Sequence, residues 1–246
     1  MEKKVISWYK ENRPIYEQLA NKVESILSEM FVSREVSYHM ISSRAKTVES
    51  VKRKISNDKY DNPKEQIQDF AGIRVITYVE DEIETICKII EEIFDIDKEN
   101  SSNKSDDLGI DKVGYKSIHY VASWNKSRLA LPEYKKYENK CFEIQIRTIL
   151  QHAWAEIEHD RNYKFTGKLP PTLGRRFKIL AGLLEMADRE FNNISNEIDE
   201  ISSKTAEDTA VGNFDIPLSS TTLLTYLSSK FTNLWNSGFK LIPDKV

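Results

Sequence analysis

Residues 72–79 read GIRVITYV. The run is rich in β-branched residues and alternates, which is the signature of a strand. Directly after it, Ile83, Ile86, Ile90 and Ile93 recur at helical spacing and predict a helix over 82–93. A second alternating run, CFEIQIRT at 141–148, turns Phe142, Ile144 and Ile146 one way and Glu143, Gln145 and Arg147 the other. Helices predicted over 149–160 and 172–203 follow it. Strands therefore mix with helices around one sheet, and the fold class is α/β or α+β, with a long C-terminal helix.

Working outward, residues 3–30 carry Val5, Trp8, Tyr9, Ile15, Leu19, Val23, Ile26 and Leu27 at roughly helical spacing, with a break expected near Pro14. VSYHMI at 36–41 predicts a strand, and Ser42 and Ser43 offer caps for a helix running to Ile55. NDKYDNP at 57–63 is turn chemistry, and DKENSSNKSDDLG at 97–109 reads as a long polar loop. A strand is expected over 115–124. The division that results is a helical segment 1–34, a principal domain 35–203, and a linker with a terminal segment at 204–246.

The 246-residue chain carries a net charge of −3, unevenly spread. Residues 80–111 hold twelve acids against three lysines, whereas residues 33–59 hold seven Lys/Arg against three acids. A locally basic segment in a mildly acidic protein suits a small phosphorylated ligand better than a long duplex. The two cysteines form neither a disulfide framework nor a zinc knuckle. With no signal-peptide pattern and no long apolar run, a cytoplasmic protein without a membrane segment is expected.

On a helix from Ser43, Lys46, Ser50 and Lys54 fall four apart on one cationic stripe, with Val48, Val51 and Ile55 facing the core. Arg44, in the first turn, would swing to the helix mouth, where the dipole also favours anions. Asp69 just precedes the 72–79 strand and Arg74 lies within it; a carboxylate at a strand end suits Mg²⁺ and phosphoryl transfer. VGYKSIHY at 113–120 sets Tyr115, Ser117 and His119 at spacing two, either a solvated edge or a face for a base and a phosphate. His152, Glu156 and His159 share one helix face opposite Leu150, Ala153, Trp154 and Ile157, but ligands from one straight helix do not converge on a metal. There is no GxxxxGK[ST] and no GxGxxG, so any ATP site is built without a glycine-rich phosphate loop. Residues alone point to a Mg²⁺-dependent enzyme acting on phosphorylated ligands.

RAKTVESVKRK, DFAGIRVITY, GYKSIHY and EIQIRTILQHAWAEIEHDRNYK, in this order over about 35–195, resemble the synthetase domain of the RelA/SpoT family, and of its single-domain small alarmone synthetases in particular. The resemblance implies a nucleotidyltransferase-like mixed sheet flanked by helices. It implies transfer of the β,γ-pyrophosphate of ATP to the 3′-hydroxyl of GDP or GTP, making (p)ppGpp, with Mg²⁺ as cofactor. Arg44 and Arg74 would sandwich the adenine, and Lys46, Ser50 and Lys54 would grip the ATP phosphates. Asp69 and Glu143 would hold the metal, Glu143 also taking the proton of the 3′-hydroxyl. Tyr115 would stack on the acceptor base, His119 would reach the acceptor phosphates, and Gln145 and Arg147 would line the acceptor side. Small synthetases often carry PK-NGY before the stacking tyrosine; here IDKVGY leaves Lys112 as the matching cation. Two other readings stand beside this one: a toxin-type pyrophosphokinase acting on the tRNA 3′ end or on adenosine nucleotides, and an inactive nucleotide or RNA sensor. Phe177, Leu180, Leu183, Leu184, Ala187 and Phe191 form one broad side of the long helix, suited to the domain's own sheet or to a second copy in a homo-oligomer.

Overall fold

The computed structural model describes residues 2–56, 60–103, 117–164 and 170–232, with backbone only at 161–164. Its chain order is α1 (Glu2–Ser33), β1 (Met40–Ala45), α2 (Val48–Ile55), α3 (Pro63–Gln66), β2 (Ala71–Thr77), α4 (Asp81–Ile93), β3 (Phe94–Asn103), β4 (Ile118–Trp124), α5 (Lys126–Leu129), β5 (Cys141–Thr148), α6 (Ile149–Lys164), α7 (Pro171–Ala210) and α8 (Ser220–Lys230). The five strands form one mixed sheet in the order β1-β2-β5-β4-β3, with β2 and β5 parallel and the other pairs antiparallel. Two compact units divide the chain, residues 1–189 and 190–246, and the sheet lies in the first.

Alternation in β2 and β5 builds two unlike sheet faces. Ile73, Val75, Phe142, Ile144 and Ile146 are buried in one core with Leu19, Val23 and Leu27 of α1 and Ile86 and Ile90 of α4. The opposite face is polar, because the register sets Ser42 against Arg74, Arg44 against Gly72, Gly72 against Glu143, and Arg74 and His119 against Gln145. Residues directly opposite one another share a face, so four strands deliver their functional side chains to one surface.

Four expectations need correction. Pro14 sits inside α1 without ending it. An interior proline costs about 3 kcal/mol, whereas burying Leu19, Val23, Leu27 and Phe31 of that helix returns about 1.5–3 kcal/mol each. Ring contacts on both sides of the proline, Tyr9 and Tyr16 each against Phe70, hold the two halves in line. The strand expected at 36–41 begins instead at Met40 and runs to Ala45, and the following helix starts at Val48 on a Thr47 cap whose hydroxyl accepts from the Ser50 N–H. Pairing with β2 decides this, since it satisfies the backbone of Ser42 and Ser43 that a helix cap would otherwise have claimed. Residues 97–103 are strand rather than loop, drawn out by β4 despite their polar composition, with a register shift between Asp97 and Ser102. On α6 Trp154 is buried, but Ile157, assigned to the apolar side, is 53% exposed.

α7 continues to Ala210, through the first part of the expected linker. Phe177 stacks edge-on against Trp154, ring centroids 5.4 Å apart, while Leu180 and Leu183 remain exposed. Both cysteines are free thiols. Among the described residues no helix is long and apolar enough to cross a membrane.

Candidate active site

The polar face holds a cleft of about 230 Å³ lined by Ser42, Ser43, Arg44, Lys46, Asp69, Gly72, Ile73, Arg74, Glu143 and Gln145. Six of the residues singled out from sequence therefore meet in one place: Arg44, Lys46, Asp69, Arg74, Glu143 and Gln145. Gly72 stands in register between Arg44 and Glu143, and a Cβ there would meet nothing within 4 Å. Its missing side chain leaves the floor of the cleft open between the two.

Lys46 follows β1 and keeps pairing, its N–H donating to the Phe70 carbonyl at 2.9 Å, which sets it beside Asp69. Tyr9 of α1 fixes the same residue from behind by donating its hydroxyl to the Lys46 carbonyl at 2.6 Å, and burial pushes that phenol up to about 12. Lys54 comes from the last turn of α2. The Lys46 ammonium pairs with Asp69 Oδ2, and the Lys54 ammonium lies 2.9 Å from Oδ1. Burial alone would raise the Asp69 carboxyl, but the two lysines outweigh it and hold it below the usual carboxylate range. Burial likewise opposes the charge of Lys54, and Asp69 more than offsets it, so its pKa is raised.

Glu143 is held differently. Its Oε1 is 2.8 Å from His119 Nδ1, and its Oε2 accepts from Gln145 Nε2 at 2.8 Å. His119 Nε2 lies 2.7 Å from Ser117 Oγ, and Arg147 donates to Gln145 Oε1. Burial pushes the Glu143 carboxyl up, the His119 and Gln145 contacts pull it down, and it settles below its ordinary value.

The remaining candidates fall into place as follows. Arg44 is on strand β1, not at a helix mouth, and it is exposed over the cleft. Arg74 donates to Glu156 Oε1 of α6 at 2.9 Å, so the glutamate of the rejected metal stripe steers an arginine. Burial and then Arg147 hold His152 below the usual histidine range, which leaves it a poor cation for Glu156. Ser50 is apart from the cleft lining, its hydroxyl accepting from Thr47 Oγ1 at 2.9 Å at the start of α2. Arg147 is buried, 4% exposed, at the end of β5. Lys112 and Tyr115 lie outside the described residues. Sequence reasoning gave no role to Gly72, Tyr9 or Ser117; their signals were a glycine inside a strand, a tyrosine on a core face, and a serine at spacing two from His119.

Two carboxylates on one open cleft, with hard oxygens and no soft ligand, fit a divalent cation such as Mg²⁺ that takes its remaining oxygens from a substrate. Among the described residues no group of three or more His, Cys, Asp or Glu could hold a metal by itself. Asp69 and Glu143 would hold the cation, and lysines on one side and arginines on the other would meet phosphate and a flat base.

The fold is of the mixed α/β class, a five-stranded mixed sheet flanked by helices with two acids, lysine and arginine on the cleft of its polar face. The chain belongs to the RelA/SpoT family: residues 43–168 match the model of the region found in RelA / SpoT proteins. It is similar to GTP pyrophosphokinase YwaC of Bacillus subtilis (strain 168), 30% identical over 171 residues that span 64% of this chain and 73% of YwaC. GTP pyrophosphokinase YjbM of the same organism is 28% identical over 140 residues, 55% of this chain and 61% of YjbM. The fold matches that of the small alarmone synthetase 1 from Bacillus subtilis bound to its product pppGpp, with a TM-score of 0.63 and 24% identity over 78% of this chain and 97% of that one. Synthetases of this family depend on divalent metal.

Proposed function

We propose that this chain is a GTP/GDP 3′-pyrophosphokinase, transferring the β,γ-pyrophosphate of ATP to the 3′-hydroxyl of GDP or GTP and so making (p)ppGpp. The observation that carries the reading is the convergence of Lys46, Asp69 and Glu143 with Arg44 and Arg74 on one cleft, with Lys54 paired to Asp69 at its edge, in a chain of this family.

In this reading Arg44 and Arg74 clasp the adenine, Arg74 kept at its post by Glu156. Lys46 and Lys54 leave Asp69 for the triphosphate, with Ser50 at the start of the same helix. Asp69 and Glu143 would hold Mg²⁺, which when bound would supply neutralisation of phosphate charge and polarisation of the phosphoryl group. Lys112 and Tyr115 serve the acceptor, with Gln145 on the cleft wall and the buried Arg147 holding Gln145 from behind rather than reaching the acceptor itself. The acceptor 3′-oxygen bonds to the β-phosphorus, the bond from that phosphorus to the α,β-bridging oxygen breaks, AMP leaves, and Glu143 accepts the hydroxyl proton. The protein's share is alignment and charge neutralisation rather than covalent chemistry. The exposed apolar row on α7 supports self-association, which sedimentation of the purified chain would test.

The test is transfer from γ-labelled ATP with Mg²⁺, offering GDP, GTP, ATP and deacylated tRNA separately. Label on GDP or GTP is the expected result. Label confined to tRNA or ATP moves the chain to the toxin-type reading, and label on none of them leaves a nucleotide-binding protein without this activity.

A further inference from the structure

We infer that Tyr9 of α1 is a positioning residue for the donor's phosphates: by holding the Lys46 carbonyl at the joint between β1 and α2, it sets where both lysines of the Asp69 pair stand. The inference rests on the pyrophosphokinase reading for what those lysines grip, but the joint itself is a matter of geometry.

β1 ends at Ala45 and α2 begins at Val48, so Lys46 and Thr47 alone join the sheet to the helix that carries Lys54. Such a short link is held by whatever its backbone groups bond to. The Lys46 N–H donates at 2.9 Å to the carbonyl of Phe70, the residue between Asp69 and β2. The Lys46 carbonyl accepts from the Tyr9 hydroxyl at 2.6 Å and, less closely, from Arg13 Nε at 3.4 Å. Tyr9 and Arg13 are four residues apart, so one face of α1 supplies both donors.

The Tyr9 hydroxyl has a fixed origin. Tyr9 is fully buried, and its ring stacks on Phe70 with centroids 5.0 Å apart, while Tyr16 and Trp8 meet the same ring at 5.1 and 5.6 Å. With its ring Tyr9 thus touches the neighbour of Asp69, and with its hydroxyl the backbone of Lys46. These are the two chain segments that meet in the Lys46–Asp69 pair. A buried tyrosine with a satisfied hydroxyl is also an ordinary core residue. The carbonyl it meets, however, belongs to no strand or helix ladder, and a second donor from the same helix shares it.

Lys54 is reached by leverage. It lies about 10 Å along α2 from Thr47 at 1.5 Å per residue, so a tilt of about 10° at the joint moves it by about 2 Å. Displacements of this size matter where groups must be aligned. Flexible lysine stems absorb part of the shift, so the loss expected is several-fold rather than complete.

Two measurements test this. Tyr9→Phe removes the hydroxyl and keeps the ring, and Arg13 still meets the carbonyl, so the fold is retained. In calorimetry this variant should bind a non-hydrolysable ATP analogue roughly 3–10-fold more weakly, as expected for one hydrogen bond, while the acceptor KM stays within about twofold. The loss should be smaller in a Lys54→Met background, because the two residues act on the same grip. Val23→Ala, buried on α1 about four turns further on, should lower the denaturant midpoint and leave analogue binding unchanged. Unchanged binding in Tyr9→Phe, strict additivity with Lys54→Met, or an equal loss in Val23→Ala overturns the inference. In the second measurement, hydrogen exchange of the nucleotide-free protein, Tyr9→Phe should speed exchange over α2 and leave β4 and β5 at wild-type rates. An unaltered α2, or a uniform increase, overturns the inference. Should binding and exchange follow these expectations while no acceptor takes up pyrophosphate, the positioning role stands and the proposed activity falls.

Discussion

Asp69 and Glu143 line the same cleft, yet they are restrained by opposite means. Asp69 is held by two ammonium groups on long flexible stems, one from the end of β1 and one from α2. Glu143 is held by an imidazole and an amide, both short side chains fixed on strands of the sheet. A lysine can swing to a phosphate without moving its backbone, whereas the row Ser117–His119–Glu143–Gln145–Arg147 cannot give way without breaking several bonds. The difference suits two tasks. In the pyrophosphokinase reading the Asp69 side would change partners when a polyanion and its cation arrive, while the Glu143 side would stay in place to receive a proton.

The largest effect expected is on turnover. In the pyrophosphokinase reading Asp69→Asn and Glu143→Gln should each lower kcat by roughly 10³-fold or more, since each removes a carboxylate that the reading assigns to the metal or the transferred proton. The comparison sharpens in binding, measured by calorimetry with a non-hydrolysable ATP analogue. Without metal, Glu143→Gln should bind the analogue much like wild type, whereas Asp69→Asn, with its lysines released, should bind it more tightly than wild type does. Equal behaviour of the two variants breaks the distinction.

Next, Lys54→Met should raise the KM for ATP roughly tenfold or more, the worth of a charge-assisted phosphate contact, and leave the acceptor KM unchanged. The same variant should bind Mn²⁺ without nucleotide more tightly than wild type, read by electron paramagnetic resonance, because one oxygen of Asp69 is no longer claimed. A smaller effect attends Glu156→Gln. The Arg74–Glu156 pair has a half-exposed acid and is worth about 1 kcal/mol or less, so the KM for ATP should rise only a few-fold.

The smallest effect concerns pH and stability. Asp69 and Glu143 both have folded-state pKa values below their ordinary ones. Their stabilisation is therefore complete above the unfolded values, about 4, and is lost as pH falls through the depressed folded ones. The denaturant midpoint of wild type should exceed that of Asp69→Asn at neutral pH, and the gap should close as the pH is taken below about 4. A gap that persists in acid would mean that the lysines do not hold the carboxylate by charge.

Much of this was legible in the sequence where alternation is clean. GIRVITYV and CFEIQIRT became β2 and β5, and the residues facing away from their core became the cleft. The helical stripe expected of Lys46, Ser50 and Lys54 does not form, because the helix starts two residues after Lys46; pairing of β1 with β2 instead puts Lys46 beside Asp69, which Lys54 also reaches. Arg44 was misplaced because local caps at Ser42 and Ser43 compete with a strand partner about thirty residues away, and only the fold decides between them. β3 was invisible for a similar reason, since FDIDKENSSN has no sustained alternation and is extended by its partner. The link from His119 to Glu143 depends on how β4 slides along β5. Spacing two within one strand sets the face, but nothing in it sets that register.

The central claim is that a diphosphate moves as one unit to a 3′-oxygen in this cleft. The most direct measurement is analysis of the products from ATP and GDP, using phosphorus–proton NMR for the linkage and chromatography for the spent nucleotide. The account predicts AMP in equal amount to a guanosine product whose new diphosphate couples to the ribose H3′. ADP as the spent nucleotide, or a new phosphate on any other oxygen, would contradict it.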